Sequence, residues 1–270
     1  MVMTTYKERE EELFARWIEA CIVSDRINPE EDFAYDGLLF RGEYELIGGC
    51  CWERLPGNET ELWDNSRCRL LILTKDTTLS GGMQDMRIET ARRNHIGHQI
   101  ATSPARFYRN LSLWAYTLQA ALRGNEIVAY DQTPDWDTLR EHYTSAPIAR
   151  INCKKEIGSS TISNATLRSH IERYGEFLAE QVAMYDADIV LCCGGGGAIR
   201  SFIERHYLPD LERFSPAGWV YYSPSTRKVV IDSYHPSYTG QSIEAMYTNM
   251  AEDLGRFLQQ HPEYLRSEAR

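Results

Sequence analysis

The chain has 270 residues, is 43% hydrophobic, and carries a formal net charge of −10 with a pI near 5.3. That length and apolar content suffice for a full core, and the acidic balance argues against a protein held on nucleic acid by bulk charge, while leaving room for a local basic groove. The seven cysteines are odd in number, include the adjacent pairs Cys50–Cys51 and Cys192–Cys193, and form no Cys-x-x-Cys, so neither a disulfide framework nor a metal site is expected.

No basic segment precedes an apolar leader, and no apolar run is long enough to span a bilayer. The expectation is a soluble, cytoplasmic protein with reduced thiols, no membrane partner and a single domain over 1–270. Residues 6–21 carry the apolar stripe Leu13, Phe14, Trp17, Ile18 and Cys21, one face of a helix. Residues 26–66 are rich in turn formers and acids and read as a long connection, with a short strand or hairpin near Leu38–Leu46. This N-terminal helix and extension (1–65) precede a core at 66–260.

Arg69–Asp76 is the first strand, with four apolar residues in succession, as in a strand covered on both faces. It ends in Lys75-Asp76-Thr77-Thr78, where Asp76 is placed either for chemistry or for capping the loop through its own backbone. Ser103-Pro104 opens a helix with the stripe Phe107, Leu111, Trp114, Leu118 and Leu122; Phe107 in its first turn suits a ligand face or plain packing. A short helix is expected between Asp131 and Tyr143.

Pro147–Asn152 is a second strand, and Asn152 at its end offers a donor and an acceptor for a planar amide or nucleobase edge. Lys154 and Lys155 follow as a basic spot, then a polar loop and a helix through Leu167, Ile171, Tyr174, Leu178 and Val182. Asp188–Cys193 is a third strand, running into Gly194-Gly195-Gly196-Gly197 and a helix over 198–207. Such a loop lets backbone amides approach an anion; it has neither the dinucleotide fingerprint nor the Lys-Ser/Thr of a triphosphate loop. Trp219–Tyr222 and Lys228–Asp232 flank a hairpin-like turn. The second arm leads into Tyr234-His235-Pro236-Ser237-Tyr238 and a closing helix over 240–260.

Alternating strands and helices predict a three-layer α/β/α sandwich around a central, mainly parallel sheet of about four strands. The four strand ends then bring together Asp76, Asn152, the glycine loop and His235: a carboxylate, an amide, backbone donors and an imidazole.

In this combination and order the chain, from about residue 69 to 258, resembles the uracil-DNA glycosylase superfamily. Leu73-Thr74-Lys75-Asp76 is similar to the first motif, with Asp76 at the water-activating aspartate. Asn152 matches the base-pairing asparagine, Gly194–Gly197 the phosphate-touching loop, and His235-Pro236-Ser237 the fourth motif. The resemblance implies a hydrolase that cleaves the N-glycosidic bond of uracil or a modified base in DNA, with no cofactor and no iron–sulfur centre, since the four-cysteine cluster is absent. It assigns catalysis to Asp76 and His235, and base contacts to Asn152, Phe107, Lys75 and Thr78. Backbone contacts fall to Gly194, Gly195, Gly196, Lys154, Ser237 and Tyr238.

Two positions depart from the family. Thr78 stands where a tyrosine excludes 5-methylated bases, and Tyr238 or Thr239 stands where a leucine intercalates. A hydrolase of free nucleosides or nucleotides and a non-catalytic base or protein binder are the competing expectations; DNA strandedness and oligomeric state are left open.

Overall fold

The computed structural model describes residues 5–25, 27–28, 32–47, 51–54, 57–76, 84–90, 92–93, 105–157 and 162–266. Seven strands form its central sheet: β1 (Gly37–Leu38), β2 (Leu70–Thr74), β3 (Ile148–Asn152), β4 (Ile189–Cys193), β5 (Glu212–Arg213), β6 (Val220–Ser223) and β7 (Lys228–Ser233). Their spatial order is β5-β6-β7-β4-β2-β3-β1. The four central strands β7, β4, β2 and β3 are parallel; β1 at one edge and β5 and β6 at the other are antiparallel.

The four parallel strands are those expected from the apolar runs. The three additional strands enlarge the sheet beyond four. Two of them, β1 and β5, have two residues each and leave no periodic signal, whereas β6 is the first arm of the expected hairpin.

Seven α-helices are found among the described residues: α1 (Tyr6–Asp25), α2 (Glu59–Asp64), α3 (Arg106–Leu122), α4 (Trp136–Ser145), α5 (Asn164–Tyr185), α6 (Ala198–His206) and α7 (Ile243–Gln260). Ser163 and Ser242 cap α5 and α7 by accepting the Thr166 and Ala245 N–H groups at 3.0 Å, contacts worth about 1 kcal/mol each. The proposed opening of α3 at Ser103-Pro104 lies outside the described residues. No helix among the described residues is long and apolar enough to cross a membrane.

Alternation along the strands divides the core in two. Leu71, Leu73, Ala149, Ile151, Val190, Cys192 and Val230 join the buried faces of α1, α5 and α6. Leu70, Ile72, Ile148, Ile189, Leu191, Val229 and Ile231 join those of α3 and α7 on the other side. Every residue of β2, β3 and β4 is buried, which explains why β2 and β4 read as unbroken apolar runs; β3 buries Arg150 and Asn152 among its apolar residues.

The chain steps from β2 outward to β3, then crosses back over β2 to β4 and on to β7. Right-handed crossovers therefore place α3 on one face and α5 and α6 on the opposite face. The reversal also opens a crevice between the carboxyl ends of β2 and β4, the place where open α/β sheets bind ligands.

Candidate active site

Strand register sets the floor of that crevice. Thr74 pairs with Asn152, Leu73 with Cys192, and Ser233 with Cys193, so Thr74, Asn152, Cys193 and Ser233 form one level across four strands. One residue later β2 and β3 are still tied, through Lys154 N–H to Lys75 O at 2.9 Å, and β4 is tied to β7 through Gly194 N–H to Ser233 O at 2.9 Å. Asp76 and His235 each stand two residues beyond the shared level, at the ends of β2 and β7.

His235 is held from three sides. Its ring centroid lies 5.8 Å from that of Phe107, in the first turn of α3. Asn110, one turn along α3, donates its buried Nδ2 to Pro236 O at 2.5 Å, and Arg106 donates Nε to Tyr238 O at 2.8 Å. Opposite, a Cβ added to Gly194 would sit 3.1 Å from His235 Cβ, and Gly194 has φ of +85°, so glycine serves both the turn and the close approach. The helix thus positions the histidine loop, a role for Asn110 and Arg106 that no motif announced.

Burial first, and then the charge of Lys75, pushes His235 down to about 4. The ring is therefore neutral at pH 7. The Ser237 N–H donates to His235 Nδ1 at 3.2 Å, which makes Nδ1 the acceptor and leaves the proton on Nε2. A neutral imidazole with a single outward donor is suited to polarise a carbonyl oxygen.

His235 opens into a cleft of about 440 Å³ that it lines with Lys75, the four glycines, Ser233, Tyr234 and Tyr238. Gly194, Gly195, Gly196 and Gly197 have φ of +85°, +82°, +56° and +80°, and the loop leads into the N-terminus of α6. Asp76 is set back from this cleft. Its carboxyl is raised above the ordinary range by burial, which Lys154 and Lys75 oppose. The Lys75 charge opposes the rise at Asp76 and adds to the fall at His235.

Asn152 is 3% exposed. Its Oδ1 accepts the Thr74 hydroxyl at 2.6 Å and its N–H donates to Asp36 at 2.8 Å, while Nδ2 has no hydrogen-bond partner among the described residues. An unsatisfied buried donor of this kind costs about 1–3 kcal/mol, which a ligand acceptor would recover. Two residues earlier on the same face of β3, buried Arg150 places its guanidinium 5.4 Å from the Phe107 ring centre. Arg150 was invisible in the sequence because it interrupts an apolar strand.

The structure thus gathers His235, Lys75, Gly194–Gly196 and Tyr238 in one cleft, with Phe107 against the histidine. Asn152 and Asp76 stand at adjoining strand ends outside the cleft's lining. Exposed Ser237 serves the histidine through its backbone, and Thr78 lies outside the described residues.

The expected basic spot does not form. Lys154 is 8% exposed and donates Nζ to Glu156 O at 2.5 Å. Lys155 is buried against Asp36, Phe14 and Trp17. Both cations are used inside the fold, so a surface role for Lys154 on a phosphate track is corrected.

Among the described residues no group of three or more His, Cys, Asp or Glu side chains is arranged to hold a metal ion. Cys21, Cys68, Cys153, Cys192 and Cys193 are buried free thiols. No protein-family model and no curated protein sequence matches the chain.

Two half-buried histidines also fix a pH response. His142, whose Nε2 is 2.8 Å from Gln119 Oε1, is pushed down to about 4 by burial and then by Arg123 and Arg41; His235 behaves alike. Unfolded histidines titrate near 6.5. Between that value and about 4 the unfolded chain binds protons that the folded chain refuses at these positions, so their contribution to stability falls as pH falls through that window. Urea midpoints measured from pH 7 to 4.5 should decline less steeply in His142→Gln than in the wild type; equal slopes would refute the assignment.

Proposed function

We propose that the chain is a hydrolase of N-glycosidic bonds in DNA, related to the uracil-DNA glycosylases, acting on uracil or a modified base. The observation that carries this reading is His235: a neutral imidazole with its free Nε2 donor at the switch-point crevice, beside the strand ends that present Asp76 and Asn152.

Each residue then has a chemical task. A base must leave the stack before its bond to the sugar is broken. Asn152 Nδ2 donates to an acceptor on the base edge, and Phe107 stacks on the base. Asp76, as carboxylate, orients the attacking water and stabilises positive charge on the sugar. His235 Nε2–H donates to the carbonyl oxygen on which the departing base gathers negative charge. The amides of Gly195 and Gly196 face a backbone phosphate at the mouth of α6, while the Gly194 N–H stays bonded to Ser233 O and Gly194 serves the close approach to His235.

Oligonucleotides carrying uracil, hypoxanthine or 5-substituted uracils, incubated with the protein and then cleaved at abasic sites by alkali, test the reading. Base release from at least one is expected; release from none sinks it. A second reading, hydrolysis of free nucleosides or nucleotides, is favoured by the net charge of −10 and by the burial of Lys154 and Lys155. Release from mononucleosides at rates equal to those from oligonucleotides would select it.

A further inference from the structure

We infer that Tyr234 and Tyr238 form a stacking platform for unpaired bases at the mouth of the His235 cleft, so that the site takes single-stranded rather than duplex nucleic acid. The inference rests on the nucleic-acid reading given above and narrows its substrate.

Among the described residues only four large apolar or aromatic side chains are exposed: Ile22, Val23, Tyr234 and Tyr238. The two tyrosines are neighbours. Their rings stack at 4.6 Å with planes 11° apart, and both line the cleft that His235 opens into. Tyr234 and Tyr238 are 38% and 40% exposed as residues, and a flat partner could cover the apolar area this leaves.

The pair is rigidly supported. Trp219 meets Tyr234 edge-on at 5.3 Å, and the Trp219 backbone N–H donates to buried Asp253 at 2.7 Å. Arg106 holds the Tyr238 carbonyl. A Cβ on Gly240 would stand 2.2 Å from the Tyr238 hydroxyl, so glycine there lets the ring lie as it does. A platform fixed in advance loses little side-chain entropy on binding.

Charge selects the strand state. Among the described residues Lys75 and Arg213 are the cations lining the cleft, offset in part by Asp232, on a chain of net charge −10 whose Lys154 and Lys155 are buried. Gripping a duplex takes many phosphate contacts, and a duplex keeps its base faces covered. An unpaired strand offers a π-face at every base, and aromatic stacking binds it without sequence preference.

Fluorescence anisotropy with a short labelled oligothymidylate, alone or annealed to its complement, tests this at moderate salt. The wild type should bind the single strand at least about tenfold tighter than the duplex. Tyr234→Ala and Tyr238→Ala should each weaken single-strand binding about tenfold, while Tyr238→Phe, which keeps the ring, should not. The slope of log affinity against log salt should be shallow, roughly −1 to −2, as two phosphate contacts give. Tyr238→Leu, which keeps bulk without a π-face, should behave like the alanine variant, and unchanged thermal melting separates these effects from misfolding. Equal affinity for duplex, or a double alanine variant that binds as well as the wild type, overturns the platform. Strand binding without base release would instead remove the hydrolase and leave the platform standing.

Discussion

His235→Ala and Asp76→Asn should each lower the rate of base release by about two to three orders of magnitude, the usual loss when a preorganised electrostatic partner of the transition state is removed. Both groups act on charge that exists only as the bond breaks: His235 on the departing base, Asp76 on the sugar. The loss should therefore fall on kcat, with KM little changed. Their pH signatures differ. His235 is held neutral down to about 4, so its protonation does not impair activity between pH 8 and 6. Asp76 must be ionised to stabilise a cation, and burial raises it above the ordinary carboxylate range. The acid limb of the wild-type profile should thus belong to Asp76 and vanish from the residual activity of Asp76→Asn. A limb that survives in Asp76→Asn and disappears in His235→Ala would reverse the roles.

The parallel core was legible because burial on both faces leaves an apolar run, unbroken in β2, β4 and β7 and interrupted only by Arg150 in β3. The residues after those runs, Asp76, Asn152, Gly194 and His235, were legible for the same reason: strand ends of a parallel sheet share one edge. Other features turn on contacts between distant segments. Lys154 and Lys155 look like a basic spot in sequence, yet Phe14 and Trp17 of α1 and Asp36 beside β1 cover Lys155. Residues 26–66 read as a long connection because β1 and α2 are too short for periodicity, while the short strand or hairpin expected near Leu38–Leu46 overlaps the antiparallel pair Glu43–Ile47 and Cys51–Arg54. Arg150 and Asn110, charged or polar residues among apolar neighbours, acquire meaning only when Phe107 and Pro236 arrive from elsewhere in the chain.

Asp36→Ala should destabilise the fold by about 3–5 kcal/mol, the usual cost of removing one partner from a buried ion pair. Asp36 is fully buried and accepts from three directions: the Asn152 N–H at 2.8 Å, Gln181 Nε2 at 3.1 Å and the Lys155 ammonium. Without it, Lys155 keeps its charge in an aromatic enclosure with no counter-ion at that position. Burial already lowers Lys155, and Asp36 opposes that shift; its loss lowers Lys155 further. Above the folded value the unfolded chain holds a proton that the folded chain has shed, so stability recovers as pH rises. Urea denaturation should accordingly show Asp36→Ala closer to the wild type at pH 9.5 than at pH 7, and Asp36→Ala combined with Lys155→Met less destabilised at pH 7 than Asp36→Ala alone. The double variant still lacks the acceptor for the Asn152 backbone. It should therefore remain impaired in base release after its stability has recovered, which separates the positioning of Asn152 from the burial of Lys155; full recovery of both together would show that Asp36 serves the lysine alone.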